Sequence, residues 1–186
     1  MTSRLIVAIS GASGVIYGIR MLEVLSSIKS VESHLILTQS AEINIKLETS
    51  YSVKDVKKMA DEVYRPDDLA APVSSGSFQI DGMVVIPCSI KSLSGIVNSY
   101  NDTLLTRAAD VTLKEQRKLV ICPRETPLHK GHVELMLKAV EYGAVLLPPF
   151  PAFYHKPQKI QDIIDQTVGK ILDQFSIQHA LFDRWK

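Results

Sequence analysis

The chain has 186 residues, 46% of them apolar and 22% charged, with 21 basic against 20 acidic side chains and a net charge of +1. That length suits one compact domain with a sizeable core. The even charge balance, with no basic stripe or tail, argues against nucleic acid as a partner, so any anion site has to be local.

No apolar stretch approaches the ~20 residues of a membrane helix, so no membrane association is expected. The Met1-Thr2-Ser3-Arg4 start lacks the apolar core of a signal peptide. The two cysteines, Cys88 and Cys122, each close an apolar run and read as buried, reduced thiols of a cytoplasmic protein.

Arg4 to Ser10 is a continuous apolar run, the mark of a strand covered on both faces. A Gly-Ala-Ser-Gly turn follows at Gly11 to Gly14, and Val15 to Ile28 has helical spacing through Ile19, Leu22 and Leu25. His34 to Thr38 reads as a second strand. Helical patterns run from about Ala41 to Leu47, and from a Ser52 cap through Val63. Gly82 to Cys88 reads as a third strand, followed by helices over Lys91 to Tyr100 and Leu104 to Gln116. Lys118 to Cys122 is a fourth strand, His132 to Tyr142 a helix stopped by Gly143, and Ala144 to Leu147 a fifth strand. A proline-rich loop spans Pro148 to Pro157, and the last helix runs from Ile160 to about Phe175.

Strands alternating with helices predict an α/β, three-layer, Rossmann-like fold: a mostly parallel sheet, helices on both faces, one domain over 1–186. Ligands bind such folds at the carboxyl ends of the strands. Four segments with chemical potential fall there or close by. Gly11 to Gly14 lets backbone approach a ligand and presents a helix start to an anion; the simpler alternative is a tight turn with Ser13 as cap. It is neither G-x-G-x-x-G nor a Walker loop. Ser89, Ile90, Lys91 and Ser92 could hold an anion, or simply cap a helix. Arg124 and Glu125 sit between prolines: Arg124 suits a phosphate, and Glu125 suits proton transfer if burial raises its pKa. The alternative is a salt-bridged surface loop. Pro148 to Pro157 holds four prolines and the aromatics Phe150, Phe153 and Tyr154, either a site wall or a subunit contact. His129 and His132 alone are a weak metal signal, and local helix and packing roles are the favoured alternative.

Taken together, Gly11-Ala-Ser-Gly-Val-Ile-Tyr-Gly18, Ser75-Gly-Ser-Phe78, Pro87-Cys-Ser-Ile-Lys-Ser-Leu-Ser-Gly95, Arg107-Ala-Ala-Asp-Val111, Arg124-Glu-Thr-Pro-Leu-His129 and Pro148-Pro-Phe-Pro-Ala-Phe-Tyr-His155 resemble the UbiX-like flavin prenyltransferase family. Members were earlier described as phenylacrylic or hydroxyaromatic acid decarboxylases. The resemblance implies a metal-independent enzyme that joins dimethylallyl monophosphate to reduced FMN at N5 and C6. The product serves a UbiD-like decarboxylase. It also implies a homododecamer with sites at subunit interfaces, and makes the tail at about 176–186 a candidate for exchange between subunits.

By the same resemblance, Gly11, Ala12, Ser13, Thr38, Ser89, Ile90, Lys91, Ser92 and Arg124 contact FMN. Thr38 stands where relatives commonly have serine. Tyr154, Lys170, Arg107, Lys114 and Trp185 fall to the prenyl phosphate, with Lys170 where some relatives have arginine. Glu125, Ser13 and Glu48 lie near the reacting centre. Two alternatives stay open: an FMN-dependent decarboxylase acting directly on an aromatic acid, and an FMN-carrying subunit without turnover.

Overall fold

The computed structural model describes residues 2–185. Six strands form one sheet in the order β3-β2-β1-β4-β5-β6, with every adjacent pair parallel. The strands are β1 (Ser3–Ile9), β2 (Val31–Leu37), β3 (Glu62–Tyr64), β4 (Gly82–Cys88), β5 (Lys118–Pro123) and β6 (Val145–Leu146). The helices are α1 (Val15–Ser26), α2 (Gln39–Glu48), α3 (Val53–Lys57), α4 (Ile90–Val97), α5 (Leu104–Lys114), α6 (Lys130–Glu141) and α7 (Ile160–Gln174).

Side chains alternate across the sheet, so each central strand feeds two cores. Leu5, Val7 and Ile9 of β1 pack with α1, α2, α3 and α7 on one face. Ile6 and Ala8 pack with α4, α5 and α6 on the other. This doubly covered sheet explains why the central strands read as unbroken apolar runs rather than alternating ones. Cys88 and Cys122 are free and fully buried, and burial pushes both thiols up from their ordinary value. No helix of the described residues is long and apolar enough to cross a membrane.

One element departs from the expectation. The helix expected from Ser52 through Val63 stops at Lys57, and Glu62–Tyr64 is an edge strand on β2. Asp61 causes the switch. Its carboxylate accepts both the Ser33 amide, at 2.7 Å, and the Ser33 hydroxyl, at 2.8 Å. These bonds pin the chain alongside β2 and set the His34–Glu62 register.

Candidate functional site

β1 and β4 are neighbours in space but not in sequence, and β1's other neighbour is β2. The connections therefore diverge at the carboxyl ends of β1 and β4, which is where open α/β sheets form a ligand crevice. Ser10, 1% exposed, ties the two ends together. Its hydroxyl donates to the Pro87 carbonyl at 2.9 Å and accepts the Ser89 amide at 2.7 Å. A cleft of ≈ 890 Å³ opens beside this tie, lined by Gly11, Thr38, Ser89, Lys91 and Ser92 among others. Its far wall is Tyr100, Asp102, Thr103 and Thr106.

The N-termini of three helices frame this cleft. Thr38 caps α2 by accepting the Ala41 amide at 3.2 Å. Ser89 caps α4 by accepting the Ser92 amide at 3.2 Å. Thr103 caps α5, where Thr106 completes a capping box. Each cap satisfies one amide of its helix's first turn and leaves others able to face an anion or a polar ligand edge. Lys91 is exposed and supplies a positive charge to the lining.

The Gly11–Gly14 loop is shaped by close approach. A Cβ on Gly11 would lie 2.2 Å from Ser40 Cβ, so only glycine fits between the loop and the first turn of α2. Gly14, at φ 95°, adopts the left-handed conformation and is itself the N-cap of α1, without a side-chain bond. The alternative reading of Ser13 as the cap is therefore corrected: Ser13 is exposed and precedes the cap position. The Gly14 amide donates instead to Glu48 Oε2 at 2.8 Å, which ties the end of α2 to the start of α1.

Arg124 and Glu125 follow β5. The Arg124 amide donates to the Cys88 carbonyl at 3.1 Å, which holds this loop beside the end of β4. Its guanidinium acts on the Tyr17 phenol, whose pKa burial raises and the Arg124 charge opposes. Glu125 is exposed, and its Oε1 accepts the Thr126 amide at 3.0 Å. Its own chain does not bury it.

Of the expected residues, Gly11, Thr38, Ser89, Lys91 and Ser92 line the cleft; Ala12, Ser13, Glu48, Ile90, Arg124 and Glu125 are not in its lining, and neither are the rest. Arg107, on α5, donates to the Ser74 carbonyl at 3.1 Å and pairs with Asp110 at 3.4 Å. Lys114 pairs with Glu115, and Lys170, on α7, lies 4.0 Å from Asp173. Tyr154 accepts a bond from the buried Gln166 amide at 3.4 Å and meets the Trp185 ring edge-on at 5.8 Å. Within one chain, then, Arg107, Lys114, Arg124 and Lys170 are not among the residues that line this cleft. Phe150, Phe153 and Trp185 are exposed, at 74%, 67% and 79%. On α6, Val133, Leu137 and Val140 form an exposed apolar stripe. Contiguous outward apolar surface marks an interaction face.

The α5 wall of the cleft was not singled out from the sequence, although Thr103-Leu-Leu-Thr106 at a helix start was the available signal. His129 caps α6 through Nδ1, which accepts the Gly131 amide at 3.0 Å, and its ring lies 3.6 Å from that of His132. This is a local helix role. Among the described residues, no group of three or more His, Cys, Asp or Glu side chains is placed to hold a metal ion.

Residues 1–185 match the Flavoprotein family. The chain is 58% identical over 185 residues to flavin prenyltransferase UbiX of Escherichia coli K12, covering 98% of each. It superposes with a TM-score of 0.97 on the dodecameric FMN-dependent UbiX-like decarboxylase of Escherichia coli O157:H7, at 48% identity, covering 98% of this chain and 99% of that one. The structure of AnUbiX in complex with FMN and dimethylallyl pyrophosphate matches with a TM-score of 0.98 and 47% identity, covering 100% of this chain and 98% of that one.

Proposed function

This chain belongs to the flavoprotein family, among the UbiX flavin prenyltransferases, and from that premise we propose that it joins a dimethylallyl group to reduced FMN. The carrying observation is the 58% identity along essentially the whole chain. The cleft supports it independently. Its ≈ 890 Å³ and its hydroxyl-lined helix starts fit a mononucleotide. Gly11 lets its loop pack directly on Ser40, which brings that loop's backbone to the cleft wall.

In this reading Gly11, Ala12, Ser13, Thr38, Ser89 to Ser92 and Arg124 bind FMN through hydroxyls, amides and charge. Reduced FMN supplies the nucleophilic N5 and C6 atoms. Arg107, Lys114, Lys170 and Tyr154 bind the phosphate of the prenyl donor and stabilise it as it leaves. Because Arg107, Lys114 and Lys170 stand outside the cleft lining of their own chain, the reading requires a homo-oligomer whose subunits complete the phosphate site. A dodecamer is the proposed state. Tyr154 and Trp185 form an apolar wall that keeps water from the allylic carbon. Glu125 handles protons during C6 ring closure once a partner subunit buries it, and Glu48 holds the Gly14 amide. A UbiD-like decarboxylase is the proposed user of the product, and the cytoplasm the proposed location.

The test is to mix the protein anaerobically with reduced FMN and dimethylallyl monophosphate or pyrophosphate, then weigh the flavin. The expected result is a gain of one prenyl unit with release of the phosphate. An unchanged flavin mass with both donors overturns the reading. Carbon dioxide released from a hydroxyaromatic acid by this protein alone would favour direct decarboxylation instead.

A further inference from the structure

The segment after α7 returns along that helix and is fastened to it at one point. Asp173 Oδ1 accepts from Arg184 Nη2 at 2.6 Å and from His179 Nε2 at 3.1 Å, and Oδ2 accepts from Arg184 Nη1 at 3.0 Å. The carboxylate is 20% exposed and the His179 ring 2% exposed, while the Arg184 side chain is 59% exposed, so a covered histidine bond backs a two-pronged arginine contact that faces solvent on its outer side. Lys170 stands off at 4.0 Å.

One turn earlier, Gly169 leaves a slot that the returning segment fills. A Cβ there would lie 2.5 Å from the Phe182 ring and 2.6 Å from the His179 ring. A row of rings then runs toward Tyr154. Arg184 lies over Phe182 at 5.6 Å, Phe182 is 6.4 Å from His155, and His155 is 5.5 Å from Tyr154. Trp185 closes the row edge-on to Tyr154 at 5.8 Å. Trp185 is 79% exposed, so its own packing gives it little hold. The fastening lies one residue before it.

We propose that Asp173, His179 and Arg184 form a latch that seats Phe182 and Trp185 against His155 and Tyr154, and so sets the prenyl-donor end of the site. These are positioning residues; none is assigned a contact with substrate. The proposal rests on the reading of Tyr154 as a substrate contact.

Trp185 is the chain's only tryptophan, so its fluorescence reports on the latch without labelling. Time-resolved anisotropy of Trp185 in the intact FMN-loaded protein is compared with donor KM, kcat and FMN affinity. Three variants attack the latch by different routes: Asp173→Asn removes charge, Arg184→Gln removes the fork, and Gly169→Ala fills the slot while leaving every charge in place. Each is expected to add a fast nanosecond component to Trp185. Each should raise KM for dimethylallyl monophosphate about tenfold, with kcat and FMN affinity within about threefold, the pattern of lost donor binding. Arg184→Lys should recover part of both. An unchanged anisotropy decay in all three variants overturns the latch. A freed Trp185 with unchanged KM overturns its link to Tyr154. If the unaltered protein prenylates no flavin, the proposed function fails while the anisotropy still decides whether the latch exists.

Discussion

The Ser10 hydroxyl accepts the amide of Ser89 at 2.7 Å while donating to the Pro87 carbonyl, so one buried side chain joins the ends of two strands that are far apart in sequence. Ser10→Ala leaves the Ser89 amide without a partner, while the Pro87 carbonyl keeps the Ser10 amide at 3.2 Å. The expected cost is about 1–3 kcal/mol of stability, the penalty for an unsatisfied buried polar group. FMN binding should weaken as well, because Ser89 caps the helix that lines the cleft. Urea unfolding and an FMN titration check the two parts.

Gly11 and Ser40 make a paired prediction. Gly11→Ala places a Cβ against Ser40 Cβ and should cost about 1–3 kcal/mol through overpacking, with impaired FMN binding. The double variant Gly11→Ala/Ser40→Gly removes the obstructing atoms and should recover a large part of the binding. A double variant no better than the single one would show that the close approach serves the ligand rather than Ser40.

Arg124 is exposed, and its backbone, not its side chain, anchors the loop. Arg124→Ala is therefore expected to change stability by no more than ~0.5 kcal/mol. Ligand binding should still fall about tenfold or more through the lost charged contact. Arg124→Lys should fall between, since an ammonium lacks the two-pronged donor geometry. Thermal midpoints beside binding isotherms separate the effects.

His34 predicts a pH dependence. Its ring is buried, with Nδ1 2.9 Å from the Tyr64 hydroxyl and Nε2 3.4 Å from Glu32, and Phe78 packs edge-on. Burial, the largest influence, lowers its pKa, and Arg4 adds to this; Glu32, Glu62 and Asp61 oppose it. The unfolded chain therefore takes up the proton first as pH falls. This site's contribution to stability is full above about 6.5, the ordinary histidine value, and is lost between there and the lower folded value. Unfolding free energies from pH 8 to 5 should show this decline, and His34→Gln should flatten it.

The strands that are covered on both faces were legible because burial leaves continuous apolar runs; β1, β4 and β5 are of this kind. β3 was not legible. It has three residues at the sheet edge, and what fixes it is Asp61 bonding to Ser33, a contact 28 positions away. Helix spacing around Val53 and Val56 is real but ends one turn later. The cleft's caps at Thr38 and Ser89 could be read as polar residues at strand ends. The Glu48–Gly14 bond and the Asp173 latch could not, since each depends on how separate elements come to lie side by side.

The two buried cysteines have a practical consequence. Both thiols are fully covered and held in their protonated form by burial, and the thiolate is the species that reacts with alkylating dyes. The native protein should therefore ignore a maleimide that labels it fully once unfolded. A cysteine engineered into the exposed part of the C-terminal segment would be its one addressable thiol, which offers a clean attachment point for following that segment during turnover.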